Sequence, residues 1–122
     1  MSLSLVQIAL VVRDYDEAIE FYVNKLNFIL IEDTVLSPQK RWVVVAPNNP
    51  NSCKILLAKA ATPKQLLSVG NQTGGRVFLF LNTNNIQLEY KNLQTNNIKI
   101  VRDISEESYG KVLVFEDIYG NL

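Results

Sequence analysis

The sequence contains no histidine and a single cysteine, Cys53. Histidine is the commonest metal ligand and the usual general base near neutral pH, so Ser-His-Asp and Cys-His catalysis are excluded. Any metal site would have to use carboxylate, amide or lone-thiol donors, and the acidic residues show no paired spacing of the calcium-loop type. One cysteine rules out an internal disulfide framework and agrees with a reducing compartment. Net charge is lacking as well, because twelve Lys and Arg balance twelve Asp and Glu. No basic run stands out to follow phosphates or an anionic membrane surface, so nucleic acid is not an expected partner. No stretch approaches the roughly 18 apolar residues that span a bilayer, and no basic region precedes a long apolar run at the N-terminus. A cytoplasmic protein with no membrane partner is expected.

What is present suits a folded domain. In 122 residues, 48% are hydrophobic and 20% charged, too apolar for disorder and long enough for one real core. Leu5 to Val12 (LVQIALVV) reads as a strand with one wholly aliphatic face (Val6, Ile8, Leu10, Val12) and a second face carrying Gln7. Asp14 followed by Glu17 is a capping-box pattern that starts a helix over Tyr15 to Leu26, with Ala18, Phe21, Tyr22 and Leu26 as its apolar face. Asn27 suits a left-handed C-terminal position, and Phe28 to Val35 then reads as a strand. Trp42 to Ala46 and Cys53 to Lys59 are further strands flanking a Pro/Asn turn, which makes the first unit βαβββ. A short helix over Thr62 to Val69 and the glycine-rich stretch Gly70 to Gly75 form the connector.

The pattern then restarts. Arg76 to Leu81 (RVFLFL) reads as a strand, and Asn84 or Asn85 caps a helix with Ile86, Tyr90 and Leu93 on one face. Asn96-Asn97 ends that helix, and Ile98 to Val101 and Lys111 to Phe115 are strands before the turn EDIYGN. Laying Val12 on Leu81 also lays Phe21 on Tyr90, so one offset of about seventy residues aligns strand and helix together. The expected fold is α+β, a single domain over residues 1–122 in which two βαβββ units form a curved mixed sheet with a concave cleft. Unit one covers about 4–60, the connector about 61–75 and unit two about 76–122. The same offset puts the partner of the Cys53 strand beyond Leu122, so the final strand is expected to lie outside the given chain or to come from another chain.

The segment QIALVVRDYDEAIEFYVNKLNF, from Gln7 to Phe28, resembles the opening of the vicinal-oxygen-chelate superfamily: glyoxalase I, bleomycin-resistance proteins and extradiol dioxygenases. FEDIYGNL, from Phe115 to Leu122, is similar to the turn that precedes that superfamily's last strand. The resemblance covers essentially the whole chain. It implies a homodimer and a concave sheet that holds a small molecule. It also implies that metal-dependent relatives take ligands from the first and last strand of each unit. Gln7 falls on the first such position, where an amide is permissible. The repeat offset makes Arg76 its counterpart, and a guanidinium cannot ligate because it stays protonated and has no free lone pair. The third position lies within Lys54 to Leu57, which contains no carboxylate, and the fourth lies past Leu122.

At least two of four implied ligands are therefore wrong, and no metal or other cofactor is expected. In place of a metal stand Gln7 and Arg76, with Phe78 and Phe80 on the strand face of Arg76. Such a pocket suits a planar or amphipathic molecule bearing a carboxylate or phosphate. Trp42, Leu56 and Phe115 complete the expected ligand contacts, although period two alone leaves their facing open. Each has a plainer reading: Arg76 as a strand-end residue reaching solvent, Gln7 as a structural amide, the phenylalanines as core. Cys53 reads as an inert thiol, and capping and turn geometry account for Asp14, Glu17, Asp117 and Asn121. The favoured expectation is a protein that sequesters a small molecule or transforms it without a metal. The alternatives are a metal-dependent lyase or dioxygenase completed by the missing strand or a partner chain, and an interaction module with no ligand.

Overall fold

The structure, a computed structural model, describes residues 2–122. Its contacts divide the chain into two compact units, one ending at Val69 and the other running Gly70–Leu122. The protein is mixed α+β, with a four-stranded mixed sheet in the first unit and a two-stranded sheet in the second.

In the first unit, β1 (Gln7–Val12) pairs in parallel with β4 (Lys54–Lys59), which pairs antiparallel with β3 (Lys40–Ala46), which pairs antiparallel with β2 (Ile29–Ser37). The order across the sheet is β1-β4-β3-β2. Alternation along the strands sends Leu10, Val12, Val43, Val45, Ile55 and Leu57 to one face, where all six are buried. Helix α1 (Tyr15–Ile19) supplies Tyr15 and Ala18 to the same core. Its start follows from the sequence, because the Asp14 carboxylate accepts the Glu17 N–H at 2.8 Å.

Helix one does not stay α-helical to Leu26, as its apolar spacing suggests. It widens into a π-helical turn over Glu20–Lys25, where the Leu26 N–H reaches the Phe21 carbonyl five residues back. The extra residue lets two sequential aromatics, Phe21 and Tyr22, both be buried, with their ring centroids 5.0 Å apart edge to face. Asn27, at φ 64, then reverses the chain into β2. A short helix α2 (Pro63–Ser68), capped by Thr62, closes the unit.

In the second unit, α3 (Ile86–Thr95) is capped by Asn85, whose side-chain oxygen accepts the Leu88 N–H at 3.1 Å. Asn97, at φ 57, ends it, and Ile98 returns its N–H to the Leu93 carbonyl. A hairpin follows, of β5 (Ile100–Glu107) and β6 (Gly110–Phe115). The expected strand over Arg76 to Leu81 is not formed as one. The segment has no regular secondary structure, and the Phe78 N–H donates to the Leu122 carbonyl at 3.1 Å. The physical reason is pairing. In the first unit β1 is held by the parallel ladder to β4, whereas β5 and β6 pair only with each other and no strand among the described residues pairs with 76–81.

Candidate functional site

The face of the first sheet opposite α1 carries three of the expected ligand contacts. Directly opposed residues in a sheet share a face, so the register fixes the rows. Gln7 opposes Lys54. Ala9 opposes Leu56, which opposes Val44, which opposes Glu32. Val11 opposes Ala58, and Trp42 opposes Thr34. Trp42 alternates with the buried Val43, so its facing is now settled. It stands on the same face as Gln7 and Leu56, with 36% of its surface exposed. Gln7 and Leu56 are half-buried, and Val44 is buried on this face too. The surface is a hydrocarbon floor with an indole at one end and an amide at the other.

The other expected contacts belong to the second unit. Arg76 is exposed and lines a small cleft of about 110 Å³ together with Gly70, Gln72, Asn121 and Leu122. Phe78 is half-buried, whereas Phe80 is 87% exposed, as befits a side chain on a segment with no ladder beside it. Phe115 opposes Ile100 in the hairpin and is half-buried. One wall of the small cleft is a closed polar knot. Asp117 Oδ1 accepts the Tyr119 and Asn121 N–H groups, each at 2.9 Å, and Asp117 Oδ2 accepts from Asn121 Nδ2 at 2.9 Å. Asn121 Oδ1 in turn accepts the Gln72 N–H at 3.2 Å. Both side chains are buried and engaged in shaping the turn, so they are structural.

Two residues of the first face escaped the sequence reading. Lys54 shares the row of Gln7, and Glu32 shares the row of Leu56. Lys54 could have been found, because it is two positions from Leu56 and must share its face. Glu32 could not, because a bulge between Leu30 and Glu32 shifts the register of β2.

The donors on this face do not fit a divalent metal. Of Lys54 to Leu57, only Lys54 and Leu56 point to the face of Gln7; one is an ammonium and the other a hydrocarbon. Lys54, a cation in the same row as Gln7, also opposes a metal there by charge. Among the described residues no three His, Cys, Asp or Glu side chains gather. No helix among those residues is long and apolar enough to cross a membrane.

Comparison with known proteins places this geometry. An uncharacterized protein of Shewanella frigidimarina (strain NCIMB 400) is 58% identical over 123 residues, which span 100% of this chain and 91% of that protein. The uncharacterized protein YurT of Bacillus subtilis (strain 168) is 28% identical, over 98% of this chain and 95% of its own length. Among solved structures, UcmS2 matches with a TM-score of 0.85 at 24% identity, covering 99% of this chain and 95% of that one. TnmS3, described as an antibiotic binding protein from Streptomyces sp. CB03234, matches with a TM-score of 0.78 at 24% identity, over 99% of this chain and 93% of its own. These two structures speak to the fold. Residues 4–122 match the model of one family, and the chain belongs to it: the Glyoxalase/Bleomycin resistance protein/Dioxygenase superfamily.

Proposed function

We propose that the chain is a small-molecule-binding member of its superfamily, taking a planar or amphipathic ligand with an anionic group and using no metal ion. The carrying observation is the face shared by Gln7, Leu56 and Trp42, where an amide and an indole flank a hydrocarbon floor and a lysine stands beside the amide. An apolar surface with a few polar groups is what ligand recognition requires. In the proposal Trp42 and Leu56 provide apolar contact and Gln7 orients the ligand. The second unit, taken by itself, offers an exposed Arg76 that can meet negative charge, with Phe78, Phe80 and Phe115 as its aromatic surface. The description of TnmS3 as an antibiotic binding protein supports sequestration as a use of this fold. We further propose a cytoplasmic homodimer, in keeping with the lone cysteine and with the large apolar side chains left exposed.

The test joins metal analysis to binding. Purified full-length protein is expected to carry well under one divalent ion per chain, and native mass spectrometry to reveal a small molecule that Trp42→Ala releases. Stoichiometric, tightly held metal would overturn the proposal. So would Trp42→Ala and Gln7→Leu variants that bind every ligand found for the wild type as tightly as it does.

A further inference from the structure

The end of the first sheet that carries Gln7 also holds a cleft with no role so far. Its volume is about 250 Å³. The lining divides by chemistry. Ile29 and Ile31, 41% and 46% exposed, are joined by two prolines on the apolar side. Asn48, Asn49, Ser52 and Lys54 make up the polar part. Asn49 Oδ1 is taken by the Asn51 N–H at 2.9 Å, which leaves its amide nitrogen as the donor it can offer.

Lys54 is the one charged residue of that lining. It opens β4, and its register partner is Gln7. Two acidic residues of β2 have other partners. Glu32 accepts the Thr34 hydroxyl at 2.9 Å, and Asp33 is held by Arg41. Among the described residues the Lys54 ammonium has no carboxylate partner. An exposed apolar wall and an uncompensated ammonium in one concavity define a complementary molecule: a hydrocarbon or ring with one negative charge.

We propose that Lys54 is the carboxylate-recognising residue of this cleft, and that the ligand is a small monocarboxylate with a compact apolar or aromatic body. The proposal rests on the reading of this sheet face as a ligand face and names the anionic group that the face accepts. One compact ammonium with neutral amide donors matches one unit of charge. A phosphoryl dianion would call for an arginine fork, several cations or a helix N-terminus, and none of these lines the cleft.

The probes are 3-phenylpropionate and its neutral amide, 3-phenylpropionamide, titrated into the full chain by ligand-observed NMR. Wild-type protein is expected to bind the acid at least about 10-fold more tightly than the amide, as a charge-assisted hydrogen bond warrants. Lys54→Met is expected to erase that preference while leaving amide affinity unchanged. Lys54→Arg should keep the preference, and Lys54→Glu should reverse it. Lys54 is exposed, so these variants should melt with the wild type, and matched melting curves establish that folding is intact. Equal binding of acid and amide by the wild type, or a preference that survives Lys54→Met, would sink the role of Lys54 while leaving a ligand face standing. Failure of both probes to bind would sink the ligand face and, with it, this proposal.

Discussion

A Cβ at Gly70 would overlap the Tyr119 carbonyl oxygen, and the residue also sits at φ +75. Gly74 has nearly the same backbone, φ +70, but open space around it. The pair separates two costs that usually come together. Gly74→Ala should lose only the left-handed penalty, about 1 kcal/mol. Gly70→Ala must in addition push apart two backbone segments that meet beside the Asp117–Asn121 knot, and should lose about 3 kcal/mol or more. Chemical denaturation of both variants checks this; equal losses would show that the backbone contact costs nothing. The sequence placed both glycines in one glycine-rich connector, yet could not tell them apart, because the difference lies in a contact spanning almost fifty positions. The site residues divide along the same line. The separate face of Gln7 on its strand was legible from period two, since it depends on neighbours in the chain. Trp42 and Leu56 required the pairings with Thr34 and with Ala9 and Val44, and the sparse surroundings of Phe80 depend on what else pairs in space.

Arg41 shows how side chains tie elements together. On β3, its guanidinium grips Asp33 of β2 through two hydrogen bonds of 3.1 and 2.7 Å and reaches Asp16 of α1 at 2.9 Å. It also lies 5.2 Å from the centre of the Tyr15 ring, while its backbone N–H donates to the Tyr15 hydroxyl at 3.2 Å. The hydrogen bond from Arg41 holds the Asp33 carboxyl below its usual range. A lowered folded-state value means stability that is fully present above the unfolded carboxylate range, near about pH 4, and is lost as pH falls through the folded value. The pair is partly solvated, so its worth at pH 7 should not exceed about 1 kcal/mol. Asp33→Asn is therefore expected to be less stable than wild type at pH 7 by up to that amount, and to converge with it near about pH 2. A constant gap across that range would refute the linkage. The elements themselves were mostly legible: the cap at Asp14, the cap at Asn84 or Asn85, and stops at Asn27 and Asn96-Asn97 are written in local chemistry. The π-helical turn was not, because two adjacent aromatics state that both wish to be buried without stating how the helix yields. The strand over 76–81 was misjudged for a different reason. Its residues favour a strand, but a ladder needs a neighbour, and propensity says nothing about whether one is there.

At the scale of the whole molecule, the first sheet presents β2 as a nine-residue edge strand with every residue exposed. Two register shifts, between Leu30 and Glu32 and between Val35 and Ser37, partly blunt it as a template for another strand. Its apolar content argues the other way. Val35 and Leu36 are 71% and 54% exposed, at the end of β2 away from the Lys54 cleft. Scattered exposed hydrophobics need no explanation, but an apolar stretch on an unpaired edge is an aggregation hazard unless a regular partner covers it. With no net charge to keep copies apart, the proposed homodimer would cover this edge, a self-complementary arrangement that closes and so avoids open-ended growth. Sedimentation velocity of the full chain at micromolar concentration should then give a dimer. Val35→Lys places a charge on the edge and should shift the protein to monomer while its melting curve remains cooperative. A wild type that is monomeric across the whole concentration range would overturn the dimer, and a Val35→Lys variant that stays dimeric would move the interface off β2.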